Sequence, residues 1–271
     1  MALSGIGIIG CGAMGSALLR GIAVSRGAPV ADILVYDLNK KRAESAAGPV
    51  GAGVAADTEE MLQRCRYIFL AVKPQDAAAV VEPWGKTFQP CDHLLISLAA
   101  GVTIKFYERL LPGGSKIIRL MPNTPCLIRE GAVALSAGSA VSAEDLAGVR
   151  LLLGGLGLTM VVPENLMDAV TALSGSGPAY LYLFAEALID GGVNAGLDRE
   201  TASALALQTI LGAARMLKEC DRSPAELRHD VTSPAGTTAA ALAVLEKRSF
   251  RGSLIDAVAA AAERAGELNR E

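Results

Sequence analysis

The feature that most limits how this chain can fold is Gly10-Cys11-Gly12-Ala13-Met14-Gly15, set between the apolar run Ile6–Ile9 and a stretch of helical spacing at 14–25. A G-x-G-x-x-G loop so placed needs a strand before it and a helix after it. Gly10 permits the tight turn, Gly12 lets the backbone approach a pyrophosphate, and Gly15 allows close helix–strand packing; the helix N-terminus attracts phosphate charge. Alone, the motif could be a mere turn. Here it opens a longer alternation. Apolar runs at 6–9, 33–36, 67–72, 94–98, 116–120 and 132–135 read as buried strands, 14–25, 40–47, 75–87 and 104–111 as helices, and 156–162 as a last strand. Strand and helix in turn predict an α/β, Rossmann-type, doubly wound and mostly parallel sheet over residues 1–163, a dinucleotide-binding domain.

From residue 164 to 271 the period changes to 3.6. Leu207, Ile210, Leu211, Ala214 and Leu217 share one helix face, and Leu254, Ile255, Val258, Ala259 and Ala262 another. Ser223-Pro224-Ala225-Glu226 is a helix start, with Ser as N-cap and Glu three places on. An all-α second domain follows. Its segments 169–185 and 235–245 are apolar nearly all round, which demands more burial than a domain of this size supplies alone. A second copy of the chain is expected to cover them, giving a homodimer; packing on the first domain is the alternative.

Composition removes several classes. With 51% hydrophobic and 20% charged residues, the chain buries enough apolar surface to order itself. A net charge of −3 speaks against a nucleic-acid partner. Five scattered cysteines without C-x-x-C spacing, and only two histidines, point to neither a metal site nor a disulfide framework, and fit a reducing compartment. Residues 1–11 imitate a signal sequence but carry no Lys or Arg, and no uncharged apolar stretch is long enough for a membrane span, so a cytoplasmic protein without a membrane partner is expected.

Ligands of an open parallel sheet sit beyond the carboxyl ends of its strands. Asp37, 22 residues after Gly15, stands where an acid binds the adenosine ribose hydroxyl of NAD; Asn39, Lys40, Lys41 and Arg42 follow at once and suit the 2′-phosphate of NADP. Both readings stand. Ala71-Val72-Lys73-Pro74, Ser97-Leu98-Ala99-Ala100-Gly101 and Met121-Pro122-Asn123-Thr124-Pro125 close three further runs and leave room for a flat nicotinamide. Lys73 is read as a cofactor contact rather than a general acid. In the helical half, Ser174-Gly175-Ser176-Gly177-Pro178 and Thr232-Ser233-Pro234-Ala235-Gly236-Thr237-Thr238 each collect hydroxyls and backbone N–H groups before a helix, a seat for a substrate carboxylate; ordinary capping is the plainer reading.

These separated motifs resemble pyrroline-5-carboxylate reductase, in order and spacing, over nearly the whole chain. The resemblance implies a Rossmann domain, a helical dimerisation domain interlocked with its twin, dimers that assemble into decamers, and reduction of 1-pyrroline-5-carboxylate to L-proline by NADPH or NADH. Ile9, Gly10, Cys11, Gly12, Ala13 and Met14 match its phosphate loop. Ala71, Val72, Lys73, Ala99, Ala100 and Asn123 match cofactor-lining positions. Ser176, Ser233, Gly236, Thr237 and Thr238 match the substrate site, with Thr238 hydrogen-bonding the imine nitrogen as catalytic residue. Asp37 and Thr58 fall at cofactor-specificity positions that vary within the family, and Asn39 is counted with them among the cofactor contacts. Ala235 departs from the family's usual Gly. Two rivals remain: a 3-hydroxyacid dehydrogenase, disfavoured because Lys218 and Lys247 lie away from both loops, and a non-catalytic nucleotide-sensing oligomer.

Overall fold

The apolar runs become strands of one eight-stranded sheet in the computed structural model, which describes residues 3–25 and 27–268. The strands are β1 (Ile6–Ile9), β2 (Ile33–Tyr36), β3 (Gly53–Val54), β4 (Tyr67–Leu70), β5 (Leu94–Ser97), β6 (Lys116–Met121), β7 (Gly131–Ala137) and β8 (Gly157–Val161). Their order is β3-β2-β1-β4-β5-β6-β7-β8, and only β7 against β6 is antiparallel. The chain reverses its winding direction between β1 and β4, which puts the ligand crevice at the carboxyl end of β1. β1, β4 and β5 are buried along their whole length, because helices cover both faces.

Those helices are α1 (Ala13–Val24), α2 (Lys40–Ala47), α3 (Thr58–Arg64), α4 (Ala77–Val81), α5 (Ile104–Leu110) and α6 (Ala143–Leu153). On one face Leu18, Leu19 and Ile22 of α1 and Val149 and Leu152 of α6 pack on Ile6, Ile8 and Phe69. On the other, Met61, Val81, Trp84 and Tyr107 pack on Ile9, Ile68 and Leu95. The helix expected at 75–87 is broken: a 3-10 turn, Pro74–Asp76, leads into α4, and Glu82–Lys86 is again 3-10. Pro83 removes a backbone donor and its ring crowds the preceding turn. β3, with two residues, carries too little pattern to be expected from sequence; α3 and α6 were not expected, although Asp57 with Glu60 and Ser142 with Asp145 are N-cap signals for them.

After β8 the chain is helical: α7 (Met167–Val170), a π-helical turn Thr171–Gly175, α8 (Gly177–Asn194), α9 (Arg199–Glu219), α10 (Pro224–Asp230), α11 (Thr237–Lys247) and α12 (Phe250–Leu268). Of the described residues, those up to 176 together with 261–268 form one compact unit and Gly177–Ala260 a second. In the second, α8 and α9 approach closely at Gly192, where a Cβ would lie 3.1 Å from that of Ala202, and Arg199 pairs with Asp190 at 2.8 Å. Ser223 and Glu226 form the expected capping box of α10. No residue of α8, α11 or α12 is buried within the single chain. Among the described residues no helix is long and apolar enough to cross a membrane.

Candidate functional site

The three glycines of the first loop are required for different reasons. Gly10 has φ +95°, and a Cβ there would lie 2.6 Å from the Ala71 carbonyl oxygen. A Cβ on Gly15 would fall 1.8 Å from the Gly10 carbonyl oxygen, so α1 packs on the loop only with glycine there. Over Gly12, by contrast, nothing of the protein lies within 4 Å. Its missing side chain serves no internal packing; it keeps the mouth of the loop open. Gly12 is also the N-cap of α1, with no side-chain cap and no acid in the first turn, so the positive helix end is left for an anion.

Asp37 follows β2 and turns toward this loop. Its Oδ2 accepts the Cys11 N–H at 2.8 Å and its Oδ1 the Asn39 N–H at 2.9 Å, while Arg42 pairs with it at 3.5 Å. Burial, and after it the Asp37 carboxylate, push the Cys11 thiol up to about 11, so Cys11 is a neutral wall of the site. Asn39 caps α2 by accepting the Arg42 N–H at 3.3 Å, and Thr58 is half-buried at the start of α3. A cleft of about 270 Å³ behind the loop, between α1 and α2, is lined by Ser16, Arg20, Arg42 and Ser45.

Next along the sheet edge, Ala71 and Val72 are half-buried and Lys73 is exposed. Ala99 is buried and Ala100 exposed in a loop held at both ends. The Ser97 hydroxyl bonds the Tyr107 hydroxyl at 2.6 Å and accepts the Ala99 N–H at 3.2 Å. Burial pushes the Tyr107 phenol up to about 12, against the opposing pull of the Ser97 bond and the Arg119 charge. At the other end, Glu164 Oε1 accepts the Ile104 N–H at 2.7 Å and pairs with Arg119 at 3.5 Å. Tyr107, Arg119 and Glu164 were not expected here; they lie 10 to 67 positions from Ser97 in sequence, and only the fold joins them.

Asn123 uses its amide inside the protein. Nδ2 donates to the Ser174 carbonyl at 3.1 Å and Oδ1 accepts the Ala132 N–H at 2.9 Å, tying the loop after β6 to the π-helical turn. That turn corrects the expectation of a donor-rich helix start at 174–178. The Ser176 N–H is bonded to the Thr171 carbonyl at 2.8 Å and the Ser174 hydroxyl to the Val170 carbonyl at 3.0 Å, so helical bonding runs through the motif. A Cβ on Gly175 would lie 2.6 Å from Met121 Cε, the end of a flexible side chain that can swing aside.

The second hydroxyl-rich loop does open a helix. Gly236 is the N-cap of α11, without a side-chain cap and with no acid in the first turn. A Cβ on Gly236 would lie 2.3 Å from Ser233 Oγ. Thr237 is exposed and Thr238 half-buried in the first turn; Ser233 is exposed, and Ala235 has φ +56°. His93 is structural: Nδ1 accepts the Gln89 N–H and Nε2 faces the Leu62 carbonyl, both at 2.8 Å.

A doubly wound sheet with an open glycine loop at its switch point defines a dinucleotide-dependent oxidoreductase. Residues 164–268 match the family model described as pyrroline-5-carboxylate reductase dimerisation, and residues 5–101 the one described as NADP oxidoreductase coenzyme F420-dependent. Pyrroline-5-carboxylate reductase of Synechocystis is 41% identical over 98% of both chains, and pyrroline-5-carboxylate reductase 3 of Danio rerio 40% identical over 98% of this chain and 92% of that one. The solved pyrroline-5-carboxylate reductase of Coxiella burnetii superposes with a TM-score of 0.93 at 37% identity over 98% of both chains. That of Plasmodium falciparum, with NADP bound, does so with 0.87 at 36% over 99% of both. The chain belongs to the pyrroline-5-carboxylate reductase family, as its motifs implied.

Proposed function

We propose that this chain reduces 1-pyrroline-5-carboxylate to L-proline with NADPH or NADH, as the last step of proline synthesis, and works in the cytoplasm as a homodimer able to build a decamer. One observation carries the reading. Of the α-helices that begin at an extended N-cap residue, those at Asn39, Asp57, Thr103, Ser142, Asp198 and Ser223 are capped by that residue's side chain, whereas α1 and α11 begin at Gly12 and Gly236 with no such cap. Two helix ends are thus left for anions from outside the chain, one suited to a pyrophosphate and one to a carboxylate.

The open space over Gly12 fits a dinucleotide. Ile9, Gly10, Cys11, Gly12, Ala13 and Met14 would hold its pyrophosphate; Asp37, Asn39 and Thr58 its adenosine end; Ala71, Val72, Lys73, Ala99 and Ala100 the remainder, with Asn123 holding the loop beside them. When bound, the reduced nicotinamide supplies the hydride. In the segment 164–271, the substrate and dimerisation part of the proposal, Ser233, Gly236 and Thr237 receive the carboxylate on first-turn N–H groups. The Thr238 hydroxyl orients the imine nitrogen and relays a proton to it, regaining its own from solvent in the same step. Ser176 completes the substrate set.

Assay of NADH and NADPH oxidation with pyrroline-5-carboxylate tests the reading. Thr238→Ala should lower kcat by roughly 100-fold with nucleotide affinity unchanged. Unchanged turnover in that variant removes Thr238 from the mechanism, and a purified protein that ignores the cyclic imine but oxidises an open-chain 3-hydroxyacid overturns the assignment.

A further inference from the structure

We infer that the adenosine end of the nucleotide groove is built for a ribose with free 2′- and 3′-hydroxyls, so that this chain takes NAD(H) in preference to NADP(H). The inference rests on the reductase reading for the presence of a dinucleotide and deepens it at Asp37.

β2 and β3 run in register, Val35 beside Val54, and the Ala55 N–H continues the pairing onto the Val35 carbonyl at 2.9 Å. Asp37 and Asp57 therefore leave the sheet at the same corner. The Asp37 side chain is only 8% exposed and is held by one backbone donor on each oxygen, from Cys11 and from Asn39. A carboxylate oxygen accepts more than one hydrogen bond, so lone pairs remain on Asp37. It is an acceptor without a proton to give. Hydroxyl groups of a ribose can donate to it; a phosphate dianion cannot, and is repelled.

Two of the three cations that follow Asp37 are already engaged: Arg42 lies 3.5 Å from both Asp37 oxygens and Lys40 pairs with Glu44 at 4.0 Å, while Lys41 is exposed in the first turn of α2. Three backbone donors at the neighbouring helix starts are taken as well. The Arg42 N–H goes to Asn39, the Glu60 N–H to Asp57 at 2.8 Å, and the Ala56 N–H to Glu60 at 2.8 Å. Glu59 and Glu60 add negative charge to the first turn of α3. Between Asp37 and Asn39, Leu38 is 93% exposed, an apolar surface beside the acid that suits a purine base and offers a phosphate nothing.

Calorimetric titration of the full chain with NAD+ and with NADP+ tests this without turnover. NAD+ should bind at least about tenfold tighter, the scale of one charge-assisted hydrogen bond gained or lost. Asp37→Asn should weaken NAD+ and strengthen NADP+, moving the ratio by about tenfold or more. Arg42→Ala, a second variant, should change NADP+ affinity less than about threefold, because that guanidinium is committed to Asp37. Equal or tighter NADP+ binding by the unsubstituted protein overturns the inference and leaves the reductase reading intact. A selective loss of NADP+ affinity in Arg42→Ala, or an equal loss for both nucleotides in Asp37→Asn, also overturns it, the latter by reducing Asp37 to a prop of the glycine loop. Binding of neither nucleotide defeats both readings.

Discussion

Ala235 sits at φ +56°, in the left-handed region where an L residue pays a steric cost and glycine does not. The sequence marks Ala235 only as a departure from the family's Gly; the backbone explains why Gly is usual there. The neighbouring Gly236 has no such freedom to change, since Ser233 Oγ occupies the space of its Cβ. The chain therefore carries a small strain next to the open end of α11. Ala235→Gly should stabilise the protein by about 0.5 to 1 kcal/mol, the relief of the left-handed Cβ less the greater entropy of an unfolded glycine. Urea unfolding midpoints at constant m-value measure this, and a loss of stability would mean that the methyl packs usefully.

At the scale of elements, one carboxylate fastens three of them. Asp145 of α6 accepts Lys116 from β6 and Arg66 from the start of β4, each at 2.8 Å, and closes the capping box with Ser142. Burial alone would raise its pKa, but the bonds from Lys116, Ser142 and Arg66 outweigh it and hold the carboxyl well below the usual carboxylate range. A depressed native value stabilises the fold fully above the unfolded value near pH 4, and the contribution disappears as pH falls through that value toward the native one. Asp145→Asn should cost about 3 kcal/mol at pH 7 and flatten the loss of stability between about pH 5 and pH 2. Denaturant midpoints measured along that pH range check it; an equally steep acid profile in the variant would show that other carboxylates govern acid unfolding. The loop that carries Ala99 and Ala100 depends on comparable cross-element bonds, through Ser97 to Tyr107 and through Glu164 to Ile104.

For the whole molecule, the second unit is unfinished as a single chain. Leu183 is 68% exposed and Ile255 69%, on helices with no buried residue, within the segment that matches a dimerisation family. Apolar surface on this scale is covered in solution by another protein surface. The protein should elute at the mass of a dimer or a multiple of it, with a melting temperature that rises with protein concentration. Leu183→Glu should lower that temperature and shift the mass toward monomer or aggregate. A monodisperse monomer with a concentration-independent melting temperature would contradict this.

Much of this architecture is written locally. The glycine loop, the strands β1, β2, β4, β5 and β6, the Ser223 box and the change of period at residue 164 follow from turn chemistry and hydrophobic spacing, which act over a few neighbouring residues. The break at Pro83 is local too and was obscured by the apolar run around it. Other facts required the folded chain. Asn123 is committed to Ser174 and Ala132, and Ser176 to a π-helical bond. Asp37 presents a carboxylate already gripped by Cys11 and Asn39, and among the described α-helices that start at extended N-caps Gly12 and Gly236 are left without side-chain partners. Sequence names the donors and acceptors a chain possesses; which of them remain available to a ligand depends on approaches between residues tens of positions apart, and those exist only once the sheet and helices have closed around them.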